Sequence, residues 1–173
     1  TTEIVVFKDY EVVSNATTKI VLDFDVRKSI AYDMNDDVRY RFVSDNELSD
    51  AVKLVVRENS GSIKGLYNES TPVTSAKVIA YAYKKGTFSA STETQPQGTT
   101  QMYFMYSAGS AEVKPGLNGR EFTIAFLEEG DYEIYFASYE ETPSGRTSFR
   151  EVLQADVDVN GSVGNRIRVD GGS

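Results

Sequence analysis

The chain has 173 residues, 40% of them hydrophobic, which suits one β-sandwich or two small domains and excludes a disordered tail. Its 18 basic and 26 acidic residues give a net charge of −8, so phosphate-rich partners such as nucleic acid or anionic headgroups are repelled. Cysteine and histidine are both absent, which removes disulfides, thiolate and imidazole metal sites, and Ser–His–Asp or Cys–His catalysis.

Eleven Tyr and nine Phe without a single Trp favour strands, because aromatic rings pack well on pleated surfaces. The chain opens as an expected strand over Glu3 to Lys8. Next, Ile20, Leu22, Phe24 and Val26 alternate with Val21, Asp23 and Asp25, giving one apolar and one mostly polar face. Short helices are expected at Asp25 to Tyr32 and at Asp45 to Ala51, the second capped by Ser44 or Asp45. Between them Val38, Tyr40 and Phe42 alternate with Arg39 and Arg41, and a strand follows from Val52 to Arg57.

Glu58-Asn59-Ser60-Gly61 reads as a boundary. It divides a β segment, residues 1–57, from a sandwich, residues 58–173, and the first part is small for an independent core. The first part is therefore expected to pack on the second or to end a larger domain. Val78, Ala80 and Ala82 then alternate with Ile79, Tyr81 and Tyr83, and Thr87 to Thr100 is a long polar loop expected to be functional. An extra apolar strand is expected at Gln101 to Tyr106. Asn118-Gly119 opens the strand Arg120 to Leu127, and Glu128-Glu129-Gly130-Asp131 turns it into the strand Tyr132 to Tyr139. Thr142-Pro143-Ser144-Gly145 ends that arm, and the last strands are expected near Val152 to Val159 and Val163 to Val169. The fold class is all-β, a prealbumin-like or Ig-like antiparallel sandwich with a small N-terminal β segment.

Two resemblances extend this reading. The phrase Val21-Leu22-Asp23-Phe24-Asp25-Val26-Arg27-Lys28-Ser29-Ile30 resembles the closing part of a domain of unknown function of Gram-negative envelope lipoproteins. Gly61-Ser62-Ile63-Lys64-Gly65, Val73-to-Tyr83 with Val73, Ala76 and Val78, Asn118-to-Ile124 and Leu127-to-Tyr132 together resemble the carboxypeptidase-regulatory-like, or transthyretin-like, sandwich. The stretch Gly86 to Gly116 is longer than that pattern. The resemblances imply a prealbumin-like domain, often classed with carbohydrate-binding-like folds, in an exported protein of the periplasm, outer membrane or cell surface. Any signal or lipid-bearing cysteine is expected upstream of Thr1.

No apolar run approaches the roughly 20 residues that span a bilayer. Asp23 and Asp25 lie on one side of a strand, where a carboxylate pair would serve glycoside chemistry or simply form a polar face. Asp33, Asn35 and Asp37 have the alternating spacing that wraps calcium, although Val38 and Ser44 stand where an EF-hand needs glycine and glutamate. No other cofactor is expected. Lys64 or Lys77 with Asn165 would suit an intramolecular isopeptide crosslink. The ligand-binding residues expected are Tyr81, Tyr83, Tyr103, Tyr106, Tyr135 and Tyr139, an exposed face able to stack on sugars or anchor a protein partner. The functional expectation is a non-catalytic envelope binding or scaffold module of adhesion type, contacting protein or glycan at the cell surface. A carbohydrate-binding module and a pilus-type subunit that exchanges Glu3 to Lys8 are the alternatives.

Overall fold

The computed structural model describes residues 3–32, 40–69, 77–98, 100–141 and 147–172, and strand outweighs helix in it, 51% to 12%. The class is all-β. The N-terminal part contains β1 (Ile20–Phe24), α1 (Val26–Ser29), β2 (Ile30–Tyr32), β3 (Tyr40–Phe42), α2 (Asp45–Ala51) and β4 (Val52–Val56). β1 pairs antiparallel with β4, and β2 with β3, as two separate two-stranded ribbons. Each helix is started by local side chains. Asp25 accepts from the Arg27 amide at 3.1 Å, and the Glu47 carboxylate takes the Ser44 amide at 3.2 Å and its hydroxyl at 2.7 Å.

A 3-10 turn, Arg57–Asn59, leads into β5 (Ser60–Tyr67). β6 (Lys77–Lys84), α3 (Ala90–Glu93), β7 (Gly109–Glu112), β8 (Lys114–Gly116), β9 (Gly119–Glu128) and β10 (Gly130–Glu141) follow. β11 (Thr147–Leu153), β12 (Asp158–Val159), β13 (Ser162–Val163) and β14 (Ile167–Val169) close the chain. One sheet runs β11-β10-β6-β7, with β14 on the first residues of β10, and a second runs β5-β9-β8.

The main core lies between these sheets. Val78, Ala80 and Ala82 of β6 and Tyr132, Ile134 and Phe136 of β10 meet Ile63 and Tyr67 of β5 and Phe122, Ile124 and Leu127 of β9. The small row on β6 makes room for the large rings opposite. Gly109 serves the same end, since a Cβ there would stand 2.8 Å from Ile124 Cγ2. In β9, Ala125 and Phe126 oppose the single residue Ser62 of β5, and this bulge puts Phe126 at φ 55°.

Several expected elements differ. Residues 3–19 contain no strand, so Glu3 to Lys8 is an arm without a ladder. Gln101 to Tyr106 is a turn rather than a strand, with Phe104 at φ 57° and fully buried. The strand placed near Val152 to Val159 begins at Thr147 and ends at Leu153, because it pairs with β10 across a bulge at Ser138/Tyr139. The turn from β9 to β10 is the single residue Glu129, not four. Asn165 is not a crosslink partner in this arrangement. Its amide donates to Ile134 O at 2.8 Å and its carbonyl accepts from Ile134 N at 2.7 Å, so it substitutes for a strand residue beside β10. The Thr142 to Gly145 turn, and Val73 and Ala76, lie outside the described residues.

Ile124 is fully buried in the core between the sheets, against Gly109. Ile124→Ala is expected to cost about 2–5 kcal/mol with an unchanged denaturant slope, read by urea unfolding.

Candidate functional site

The tyrosine row expected to face solvent forms a second core. Tyr81 and Tyr83 of β6 and Tyr139 of β10 are buried, Tyr103 and Tyr135 are partly so, and Tyr106 alone among the six is exposed. The cover comes from Phe88, Tyr103 and Phe104 together with Phe149 of β11. Phe104 stacks on Tyr81 at 4.2 Å, Phe88 on Tyr135 at 3.8 Å, and Tyr103 on Phe149 at 4.5 Å.

Glu93 at the end of α3 pins this cover. Its buried carboxylate accepts from Tyr83 Oη at 2.6 Å and from the Tyr106 amide at 3.3 Å, while its carbonyl takes the Phe104 amide at 3.0 Å. Burial, then the bond to Glu93, pushes the Tyr83 phenol far up. Tyr81 and Tyr139 share a 2.6 Å hydroxyl bond in the same layer. The polar-looking loop is thus a lid over aromatic rings, and Tyr81, Tyr83 and Tyr139 are buried beneath it rather than presented to solvent.

Asp23 and Asp25 do share a side, and both line a cleft of about 580 Å³ between the N-terminal part and the sandwich. Asp50, Lys28, Lys53, Lys84, Glu128 and Tyr132 are among the other walls. Asp25 and Glu128 are each tied to cations. Burial acts to raise Asp25, but the Arg27 guanidinium, bonded at 3.0 and 3.2 Å, overrides it and holds the carboxyl below its ordinary value. The Glu128 carboxyl is held at about 2, chiefly by bonding from Lys8 and then Lys84 against the cost of burial. A glycosidase acid needs a raised carboxyl, and neither of these is one.

The cations there fasten the two parts together. Lys53 Nζ donates to the bulge carbonyl of Phe126 at 2.6 Å and to Ala108 O at 3.3 Å, and burial pushes its amine down. Arg27 lies over the Tyr81 ring, 5.2 Å from its centroid. These contacts turn the Asp23 and Lys53 row, cross-strand neighbours on β1 and β4, toward the sandwich.

The opposite row of the ribbon, the apolar face expected from alternation, then faces water. Ile20 is 42% exposed, Leu22 61% and Phe24 50%, and Val26 beyond them 61%. Across the ladder Ile20 and Leu22 pair with the half-buried Val56 and Leu54, while Phe24 pairs with the buried Val52, so the outward row carries no charge. The arm adds Val5 at 49% and Phe7 at 91%. Apolar clusters of this kind mark interaction surfaces.

Asp33, Asn35 and Asp37 lie outside the described residues, and among the described residues no group of acidic side chains is placed to hold a metal. No described helix is long and apolar enough to cross a membrane. Comparison with protein-family models, curated proteins and solved structures finds no match to this chain.

Two measurements test these assignments. Tyr83→Phe removes one donor from the buried Glu93 carboxylate and is expected to cost about 1–3 kcal/mol, read by chemical denaturation. Glu128 titrates at about 2 when folded against 4.5 ordinarily, so its contribution is present above the unfolded value and lost as pH falls toward 2. Glu128→Gln should therefore lower stability at neutral pH and flatten its decline across that acid range.

Proposed function

We propose that this chain is a non-catalytic binding or scaffold module of the bacterial envelope, acting by surface contact through its N-terminal ribbon. The observation that carries the proposal is the uncharged outward face of Ile20, Leu22 and Phe24, left in water by a molecule whose two cores are otherwise covered. A two-stranded ribbon has little stability alone. Here one side is fastened to the sandwich through Lys53 and Arg27, which leaves the other side free to engage a partner. Ion-paired carboxylates and the absence of histidine and cysteine argue in the same direction.

Location rests on the lipoprotein-like phrase Val21 to Ile30, and the transthyretin-like reading rests on the strand motifs. Exposure on an exported protein suits both. A pilus-type subunit is the second reading. It is favoured by the arm, where Val5 and Phe7 are exposed in a segment that joins no sheet.

The test is retention of the purified chain on Gram-negative envelope preparations. Retention is expected for the parent chain and its loss for Leu22→Glu, with folding checked by near-UV circular dichroism. Equal retention of both proteins, or hydrolysis of a glycoside that Asp23→Asn abolishes, would overturn the proposal.

A further inference from the structure

An amine withdrawn from water normally has bonded partners, because desolvation disfavours its charge. The cleft between the N-terminal part and the sandwich, about 580 Å³, has three lysines on its wall, and two of them follow that rule. Lys53 Nζ donates to Phe126 O and Ala108 O, and Lys84 Nζ to Glu128. Lys28 does not. It is half-buried, yet among the described residues its side chain has no hydrogen bond and no ion pair. Its place is fixed by α1, where the Lys28 amide and the Ser29 hydroxyl both bond Asp25 O, at 3.0 and 2.8 Å. Burial pushes the Lys28 amine down, the Asp25 charge opposes this, and the Arg27 guanidinium adds to the fall. A desolvated lysine beside another cation is the setting that makes an amine nucleophilic near neutral pH.

The geometry points to a binding site in this cleft for a small carbonyl compound that carries a carboxylate, captured as an imine on Lys28 Nζ. The Nζ lone pair attacks the carbonyl carbon, and the two amine protons leave with the carbonyl oxygen as water. A C=N double bond remains, and hydrolysis reverses the step. Capture is stoichiometric, so it agrees with a module that turns over no substrate. It also uses the side of the ribbon opposite the apolar row, and so stands independently of the docking role. The volume lies within the range of small-molecule pockets.

The carboxylate on the ligand follows from the donors left over. Lys53 spends two of its three ammonium donors on carbonyls and Lys84 spends one on Glu128. Arg27 Nη1 is buried without a bonded partner, although Nη2 and Nε hold Asp25. The acids on the wall are largely answered. Asp25 faces Arg27, Glu128 faces Lys8 and Lys84, and Asp23 acts on Lys53 across the ladder. Asp50 is exposed to water, which screens it.

Treatment of the native chain with glyoxylate and cyanoborohydride, followed by peptide mapping in a mass spectrometer, reads each amine separately. Lys28 is expected to be modified on the order of tenfold faster than the exposed Lys64 and Lys114. The preference for Lys28 over those two is expected to be smaller with propionaldehyde, which has no charge, and to vanish in urea. Equal rates at Lys28 and the exposed lysines overturn the proposal, as does a preference that survives unfolding. A Lys28 preference no greater for glyoxylate than for propionaldehyde overturns it as well.

Discussion

The arrangement depends on how β1 and β4 are seated on the sandwich. Lys53 places its amine on the carbonyl of Phe126, which the bulge in β9 turns out of the ladder at positive φ. Arg27, held by Asp25, lies over Tyr81. Side chains alternate along a strand, so fastening the Asp23 and Lys53 row inward commits Ile20, Leu22 and Phe24 to the outside. A one-residue slip would reverse both rows and lose both contacts. The same seating creates the charged cleft and the uncharged face.

The sandwich supplies a stiff base for this. Its β6–β10 pair is buried on both sides, by the opposing sheet on one and by Phe88, Tyr103, Phe104 and Phe149 on the other. A sheet covered twice resists deformation, so the bulge carbonyl and the Tyr81 ring stay in place for the ribbon. Glu93 is costly to bury and is matched by Tyr83 and the Tyr106 amide, which fixes the lid in one position.

Strand alternation made much of the fold legible. β1, β4, β6, β9 and β10 lie close to where their patterns place them, and α2 begins at its capping Ser44. Alternation says which residues share a face but not which face is covered. On β6, the Val78 and Tyr81 rows are both apolar, and the cover for the second comes partly from Phe149, far along the chain. On β1, alternation marks an apolar row without saying whether it is covered, and the reach of Lys53 to a bulge in β9 sends that row outward. Phe104 and Phe126 adopt positive φ without glycine, so no turn signal marks either site. The candidate surface was therefore visible as residues, while its exposure was not.

Because the chain has no cysteine, single thiols can report the seating directly. Leu22→Cys and Val55→Cys, labelled at high dilution under native conditions, compare the outward and inward rows. The account predicts that Leu22→Cys reacts nearly as fast as in unfolded chain and that Val55→Cys is strongly protected. Protection at position 22 with rapid labelling at position 55 would contradict it.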